Sequence, residues 1–333
     1  MKQILFIGSR KKYEPFVRYC KKKNYDYKIF EAKPGLENES LDLQPETEFV
    51  GYSNFFNTEF YQDQFFASGF SPDLIVMQRD QEKWLRLEQE LNEIYLEPEA
   101  IDNFLLSFFA KKSVQDKVCR ELLIPVMPRD GENLVVKKDS GFSGGTGYYS
   151  CPAKEYTPSK NDFVQREMNI QKTIGVHLYI DNEGGWNILN FHHMTYDNNY
   201  PAHSVSCLWP KDDHMKVIRD GVMKLSRSLE IRNRLVFWQF LVDKSDSIYS
   251  MDFNCRVSGG YEASSYDEEV SDACWAQWLI EKQVPRSITF NQSVRCFYNE
   301  KVKFGYSSYS RSIEPITPKV YQVERYIGGQ RDE

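Results

Sequence analysis

Short apolar runs separated by helical stretches open the chain. Residues 2–7 (KQILFI) are apolar up to Gly8-Ser9-Arg10, the pattern of a buried strand that stops at a turn. A helical stretch through Tyr19 and Cys20 follows, then strand-like runs at 27–30 (YKIF) and 73–77 (DLIVM). Strands alternating with helices predict a parallel α/β domain over residues 1–98, with ligands beyond the carboxyl ends of its strands. Those ends carry Ser9, Arg10 and Arg79, which makes them candidate substrate contacts.

From about residue 99 the pattern changes. Residues 101–123 read as one helix, closed by Pro125 and Pro128. A strand at 133–137 (NLVVK) runs into the glycine-rich loop 141–147 (GFSGGTG), and a second strand at 163–165 leads to Glu167. Residues 176–180 and 186–191 read as a hairpin around Asp181-Asn182-Glu183-Gly184-Gly185. Met215, Ile218, Val222, Leu225 and Leu229 fall at spacings of three and four, the apolar face of a helix. Runs at 235–242 and 247–253 read as two strands joined by Asp243-Lys244-Ser245-Asp246. The last segment, 283–333, mixes short strand patterns with Ser, Pro and Lys and gives no placed element.

Composition narrows the class. The chain has 333 residues, 41% hydrophobic and 27% charged, as in a globular protein. A net charge of −6 leaves no overall basic field for nucleic acid. No run approaches the roughly 20 apolar residues of a membrane span, and the N-terminus lacks a signal-peptide pattern, so the expected location is the cytoplasm. Seven scattered Cys without a C-x-x-C pair read as reduced thiols.

Four segments carry candidate chemistry. The loop 141–147, with Gly144 and Gly145 at its centre, lets backbone N–H groups approach a phosphate. Lys137 ends the strand before it, and Lys117 lies twenty residues earlier; two lysines and such a loop would neutralise a triphosphate. On a strand, Asp252 and Asn254 point to one face, and hard oxygen ligands suit Mg²⁺. Gln239 on the preceding strand reaches the same face, and Arg256 follows as a fork donor for phosphate or carboxylate. The strand 163–168 (FVQREM) leads out to a linker able to offer backbone groups to an adenine edge.

Taken in order, these segments resemble the ATP-grasp superfamily. The resemblance runs through Asp116-Lys117, residues 122–128 (LLIPVMP), 134–137 (LVVK), the loop 141–147, 164–167 (VQRE), Gln239 and 252–256 (DFNCR), over roughly residues 100–280. It implies a Rossmann-like domain at 1–98 and a two-lobed ATP-grasp module of α+β character at 99–282, with a mobile glycine-loop lobe at about 125–190. It also implies that ATP and Mg²⁺, or Mn²⁺ in its place, are bound. Lys117 and Lys137 would contact the phosphates, Gln165, Arg166, Glu167 and Met168 the adenine, and Gln239, Asp252 and Asn254 the metal. Arg256 would steady the transferred group. Ser258, Gly259, Gly260 and Tyr261 are further candidate substrate contacts. The family's chemistry joins a carboxylate to an amine through an acyl phosphate; small-molecule or peptide acids and amines are the expected partners, and homodimers are frequent.

Three positions depart from the pattern. Gln239 stands where an acid is usual, as in carbamoyl-phosphate-synthetase-like members. Asp252 stands where Glu is commoner. His177, counted among the nucleotide contacts, stands near a frequent carboxylate. Carbamoyl-phosphate-type chemistry and a nucleotide-binding homologue with weak turnover are the rival readings. Outside these motifs, His192-His193, His203 and His214 read as polar surface or substrate rim, and Cys255 as a packing residue.

Overall fold

The computed structural model describes residues 1–8, 10–33, 47–77, 82–96, 103–140, 148–197, 200–206, 208–255, 275–284, 286–298 and 309–327. The chain divides into two units, Met1–Leu106 and Ser107–Glu333.

In the first unit, β1 (Gln3–Ile7), β2 (Asp26–Lys33), β3 (Thr47–Gly51) and β4 (Leu74–Met77) form one sheet in the order β3-β2-β1-β4. Every pair in it is parallel. This is the first half of a doubly wound order, with the reversal between β1 and β4. The central strand β1 is continuously apolar because both of its faces are covered, and Ile4 to Ile7 are wholly buried. On one side Phe6 meets Tyr13 and Phe16 of α1 (Arg10–Lys23). On the other, Phe30 and Phe55 pack with Tyr61 and Phe65 of the helix Thr58–Ser68 and with Trp84 of the helix Glu82–Tyr95. The sequence reading placed β1, α1, β2 and β4. It did not place Thr58–Ser68, whose phenylalanines sit on several faces: Phe65 is buried while Phe66 is exposed.

Numbered in order, the helices of this unit are α1, α2 (Tyr52–Phe55), α3 (Thr58–Ser68) and α4 (Glu82–Tyr95). The single helix expected over 101–123 is two, α5 (Asn103–Ala110) and α6 (Lys112–Glu121). The break falls at Lys111, which is extended and forms an antiparallel bridge with Ser140.

The second unit holds two antiparallel sheets. The smaller has the order β6-β5-β7, from β5 (Asn133–Lys138), β6 (Tyr148–Pro152) and β7 (Asp162–Arg166). The larger runs β12-β11-β8-β9-β10-β13-β14. Its strands are β8 (Ile170–Ile180), β9 (Trp186–Asp197), β10 (Tyr200–Ser206), β11 (Arg234–Asp243), β12 (Ile248–Asn254), β13 (Ser287–Tyr298) and β14 (Tyr309–Gln322). The expected hairpin is β8–β9, and the expected amphipathic helix is α7 (Asp212–Ser228), with Met215, Ile218, Val222 and Leu225 buried. A last helix, α8 (Trp275–Glu281), buries Trp278.

The last segment completes the larger sheet. Beside β13 and β14, the short β15 (Glu324–Tyr326) pairs with the start of β9. Arg325 donates to Asp181 (2.8 Å) and Glu183 (2.6 Å), and Arg219 of α7 grips Glu324 (2.7 and 2.5 Å). Asp181 also accepts the N–H groups of Glu183 and Gly185 and the amide of Asn187, so its carboxylate is fully used. Although burial works the other way, the hydrogen bonds from Arg325, Gly185 and Asn187 hold the Asp181 pKa below its ordinary value. Bonds from Arg219 and Tyr326 do the same for Glu324. Both shifts are downward, so the stabilisation is present above the ordinary carboxylate range and is lost as pH falls through it. Asp181→Ala is expected to cost roughly 1–3 kcal/mol, because four donors lose an acceptor, two of them in buried bonds. A denaturant titration at pH 7 and pH 3.5 checks this: the gap between wild type and variant should shrink at the lower pH.

Candidate active site

On antiparallel strands, directly opposed residues point to the same face. Gln239 of β11 opposes Asp252 of β12, and Phe237 opposes Asn254. On the other side, Gln239 opposes Gly175 of β8 and Phe237 opposes His177. One face of the larger sheet therefore gathers the three expected metal ligands. A register shift between Gln239 and Phe240 leaves Met251 as an extra residue on β12, and such a bulge re-aims the side chain beside it. Glycine at 175 makes room for the Phe237 ring: a Cβ there would come within 2.3 Å of it, and the ring would have to move.

β12 is the edge strand at this end of the sheet, yet its site residues are fixed. Gln115 of α6 donates to Phe253 O (2.7 Å) and accepts from Phe253 N (3.1 Å), so one buried side chain acts as a strand partner between Asp252 and Asn254. Beneath, Phe108 and Phe109 pack on the Phe253 ring, and Trp238 Nε1 donates to Ser250 Oγ. The sequence reading missed Gln115. Its only sequence signal is a glutamine on the inward side of an amphipathic helix.

The smaller sheet supplies the positive charge. Lys137 of β5 donates to Gln165 Oε1 of β7 (2.9 Å). Burial lowers its pKa to about 8; nearby Asp252 opposes that shift and nearby Lys112 adds to it. Asp252 of β12 and Lys112, the first residue of α6, thus both lie within electrostatic reach of Lys137 of β5.

Lys117 is not brought to this group. It lies five residues beyond Lys112, about 140° around the helix, is exposed, and pairs with Glu121 at 3.8 Å. It lines a surface hollow of about 780 Å³ together with Arg120, Glu121 and Arg129. Its expected place beside Lys137 belongs to Lys112. The break at Lys111 is what turns Lys112 inward, and a continuous helix over 101–123 hides it.

The linker residues lie where β7 leaves the small sheet. Gln165 is buried, Glu167 and Met168 are half-buried, and Arg166 Nε reaches Asp130 O. His177 is buried against Phe237, with ring centroids 4.9 Å apart; burial first, then neighbouring His192, pushes its pKa well down. His192, His193 and His214 are likewise buried, which corrects their reading as polar surface. His192 and His193 sit inside because β9 is covered on both faces, and His214 because it falls on the buried side of α7. The His203 side chain is not described. Arg256, Gly144, Gly145, Ser9, Arg79, Ser258, Gly259, Gly260 and Tyr261 lie outside the described residues, and Arg10 opens α1 with its side chain undescribed.

The donor set at β11 and β12 is one carboxylate and two amide oxygens. These are hard ligands, suited to a Mg²⁺ ion that takes its remaining oxygens from phosphates. A lysine held near pH 8 by burial beside a second lysine is short of negative charge, which a triphosphate would supply. The residues present therefore fit a magnesium nucleotide. Among the described residues, no group of three or more His, Cys, Asp or Glu forms another candidate metal centre, and no helix is long and apolar enough to cross a membrane.

No family model matches the chain, and no curated protein does. Solved structures do. N5-carboxyaminoimidazole synthetase from Staphylococcus aureus superposes with a TM-score of 0.67 at 12% identity, over 94% of this chain and 93% of that one. L-amino acid ligase from Bacillus licheniformis gives 0.67 at 10% identity, over 90% and 80%. The biotin carboxylase domain dimer of Hydrogenobacter thermophilus 2-oxoglutarate carboxylase, in complex with MgADP, ADP and bicarbonate, gives 0.65 at 12%, over 97% and 91%. With the smaller sheet, the larger sheet and the charged residues between them in this order, the chain has the ATP-grasp fold.

Proposed function

We propose that the chain is an ATP- and Mg²⁺-dependent carboxylate–amine ligase. The acid is activated as an acyl phosphate, the amine displaces phosphate, and ADP and phosphate leave. The observation that carries this reading is the meeting of Lys137, Lys112 and Asp252, with Gln239 directly opposite Asp252. Phosphoryl transfer needs positioning and charge neutralisation more than covalent help from the protein. The bound magnesium nucleotide supplies the electrophilic phosphoryl group. Lys137 and Lys112 hold its phosphates, Asp252, Gln239 and Asn254 hold the metal, and residues 165–168 line the base. Arg256 steadies the transferring group, and the loop around Gly144 and Gly145 excludes water from the acyl phosphate. Ser9, Arg10, Arg79 and residues 258–261 are the proposed substrate contacts. The homodimer belongs to the same reading, supported by the dimer named for one similar structure.

Gln239 in an acid's usual place favours a second reading, activation of bicarbonate in the carbamoyl-phosphate manner. One experiment separates the two: phosphate release from Mg·ATP against pooled amino acids, peptides and small carboxylic acids, with bicarbonate plus amine as a separate arm. Release that requires an acid–amine pair supports the ligase. Release that requires bicarbonate supports the second reading. Nucleotide binding without release in any arm sinks both and leaves a binding homologue.

A further inference from the structure

α6 begins without a cap of its own. Its N-cap residue is Lys111, whose side chain makes no capping bond. The first N–H groups of a helix need acceptors, and here they come from the other sheet. Lys112 N donates to Asp139 O (3.0 Å), Ser113 N donates to Asp139 Oδ1 (2.7 Å), and Ser113 Oγ donates to Asp139 Oδ2 (2.7 Å). The Lys111–Ser140 bridge lies alongside. Asp139 follows β5 directly, two residues after Lys137. One aspartate thus ties the Lys137 end of the smaller sheet to the residue that starts α6, Lys112.

We propose that Asp139 is a positioning residue for the phosphate site. It caps α6 from outside the helix, and so fixes the spacing between the Lys137 and Lys112 ammonium groups to which the triphosphate binds. This rests on the nucleotide reading above. Without the tie, the repulsion between the two lysines, which Asp252 opposes at Lys137, favours their separation. Asp139 touches neither phosphate nor metal in this scheme, and its effect passes through the two lysines.

The test is binding of a non-hydrolysable ATP analogue with Mg²⁺, and of adenosine, to the full chain. Asp139→Ala is expected to weaken the analogue by about tenfold, the scale of one charge-assisted hydrogen bond, and to leave adenosine within about twofold of wild type. Asp139→Asn keeps a side-chain acceptor for Ser113 N and should restore most of the loss. Ser113→Ala should fall between, and the Ser113→Ala/Asp139→Ala double variant should match Asp139→Ala alone, since the two act as one unit. An unchanged analogue affinity in Asp139→Ala overturns the proposal, as does equal loss of adenosine and analogue. Should wild type bind neither, the nucleotide reading itself falls and takes this inference with it.

Discussion

Replacing Asp252 with alanine is expected to lower acceptor-dependent phosphate release by about 10²–10³-fold, the scale seen when one electrostatic stabiliser is removed from a transition state. The change should fall on turnover more than on folding. Asp252 is half-buried, while the backbone beside it is held independently by Gln115 at Phe253 and the Phe253 ring is held by Phe108 and Phe109. Thermal melting of Asp252→Ala should therefore stay near wild type. Asp252→Asn separates charge from shape: it keeps an oxygen opposite Gln239 but removes the negative charge, and should remain strongly impaired. Asp252→Glu restores the charge with one more methylene, and should recover part of the rate at raised Mg²⁺. A second readout follows from geometry. Asp252 is the neighbour that holds the Lys137 pKa up against burial, so its loss should move any Lys137-dependent pH profile to lower pH. Full activity in folded Asp252→Ala would remove Asp252 from the metal site.

The gap between what the sequence shows and what the fold adds is clearest around this residue. The alternation Asp252-x-Asn254 fixes a shared face whatever the partner strand is, because a strand's side-chain period is two. Gln239 was legible for the same reason, since two strands joined by a four-residue turn must pair. Lys137 was legible because a strand that runs into a glycine-rich loop puts its last residue beside that loop. Lys112 was not. Its place depends on α6 starting there, which depends on Lys111 being drawn into a bridge with Ser140, a contact 29 residues away in sequence. Gln115 was hidden likewise, because its role is to pair with Phe253 O and N across 138 positions. Local pattern reports elements and their faces; it carries no signal for contacts that exist only once two elements have docked. The strands beyond residue 283 were obscure for a related reason. Arg219 and Asp181 hold β15 through Glu324 and Arg325, and sheet pairing joins β13 to β14 and β15 to β9, all contacts between elements distant in sequence or set by register.

Lys137 gives the other large expected effect, and its pH dependence has a definite sign. Removing the charge in Lys137→Met should weaken ATP by about 10–100-fold, as the loss of one or two charge-assisted contacts to phosphate would. In the free protein burial and Lys112 bring the Lys137 pKa down to about 8. A bound triphosphate favours the charged form and raises it. Affinity for ATP should then be level below about pH 8, where the amine is already protonated. Above that it should fall, by up to about tenfold per pH unit, because binding must first take up a proton. The nucleotide's own terminal phosphate, with a pKa of about 6, is already ionised above pH 8 and does not mask the decline there. Lys137→Arg keeps its charge far above pH 8, so its affinity should stay level where wild type declines, whatever its absolute value. Adenosine, lacking phosphates, should show no such slope with either protein. Titration of ATP binding from pH 6.5 to 9.5 by calorimetry in two buffers of different ionisation enthalpy reads the proton directly. Uptake approaching one proton per ATP above pH 8 in wild type, and none in Lys137→Arg, is the expected result. A flat wild-type profile would mean that Lys137 does not face the phosphates.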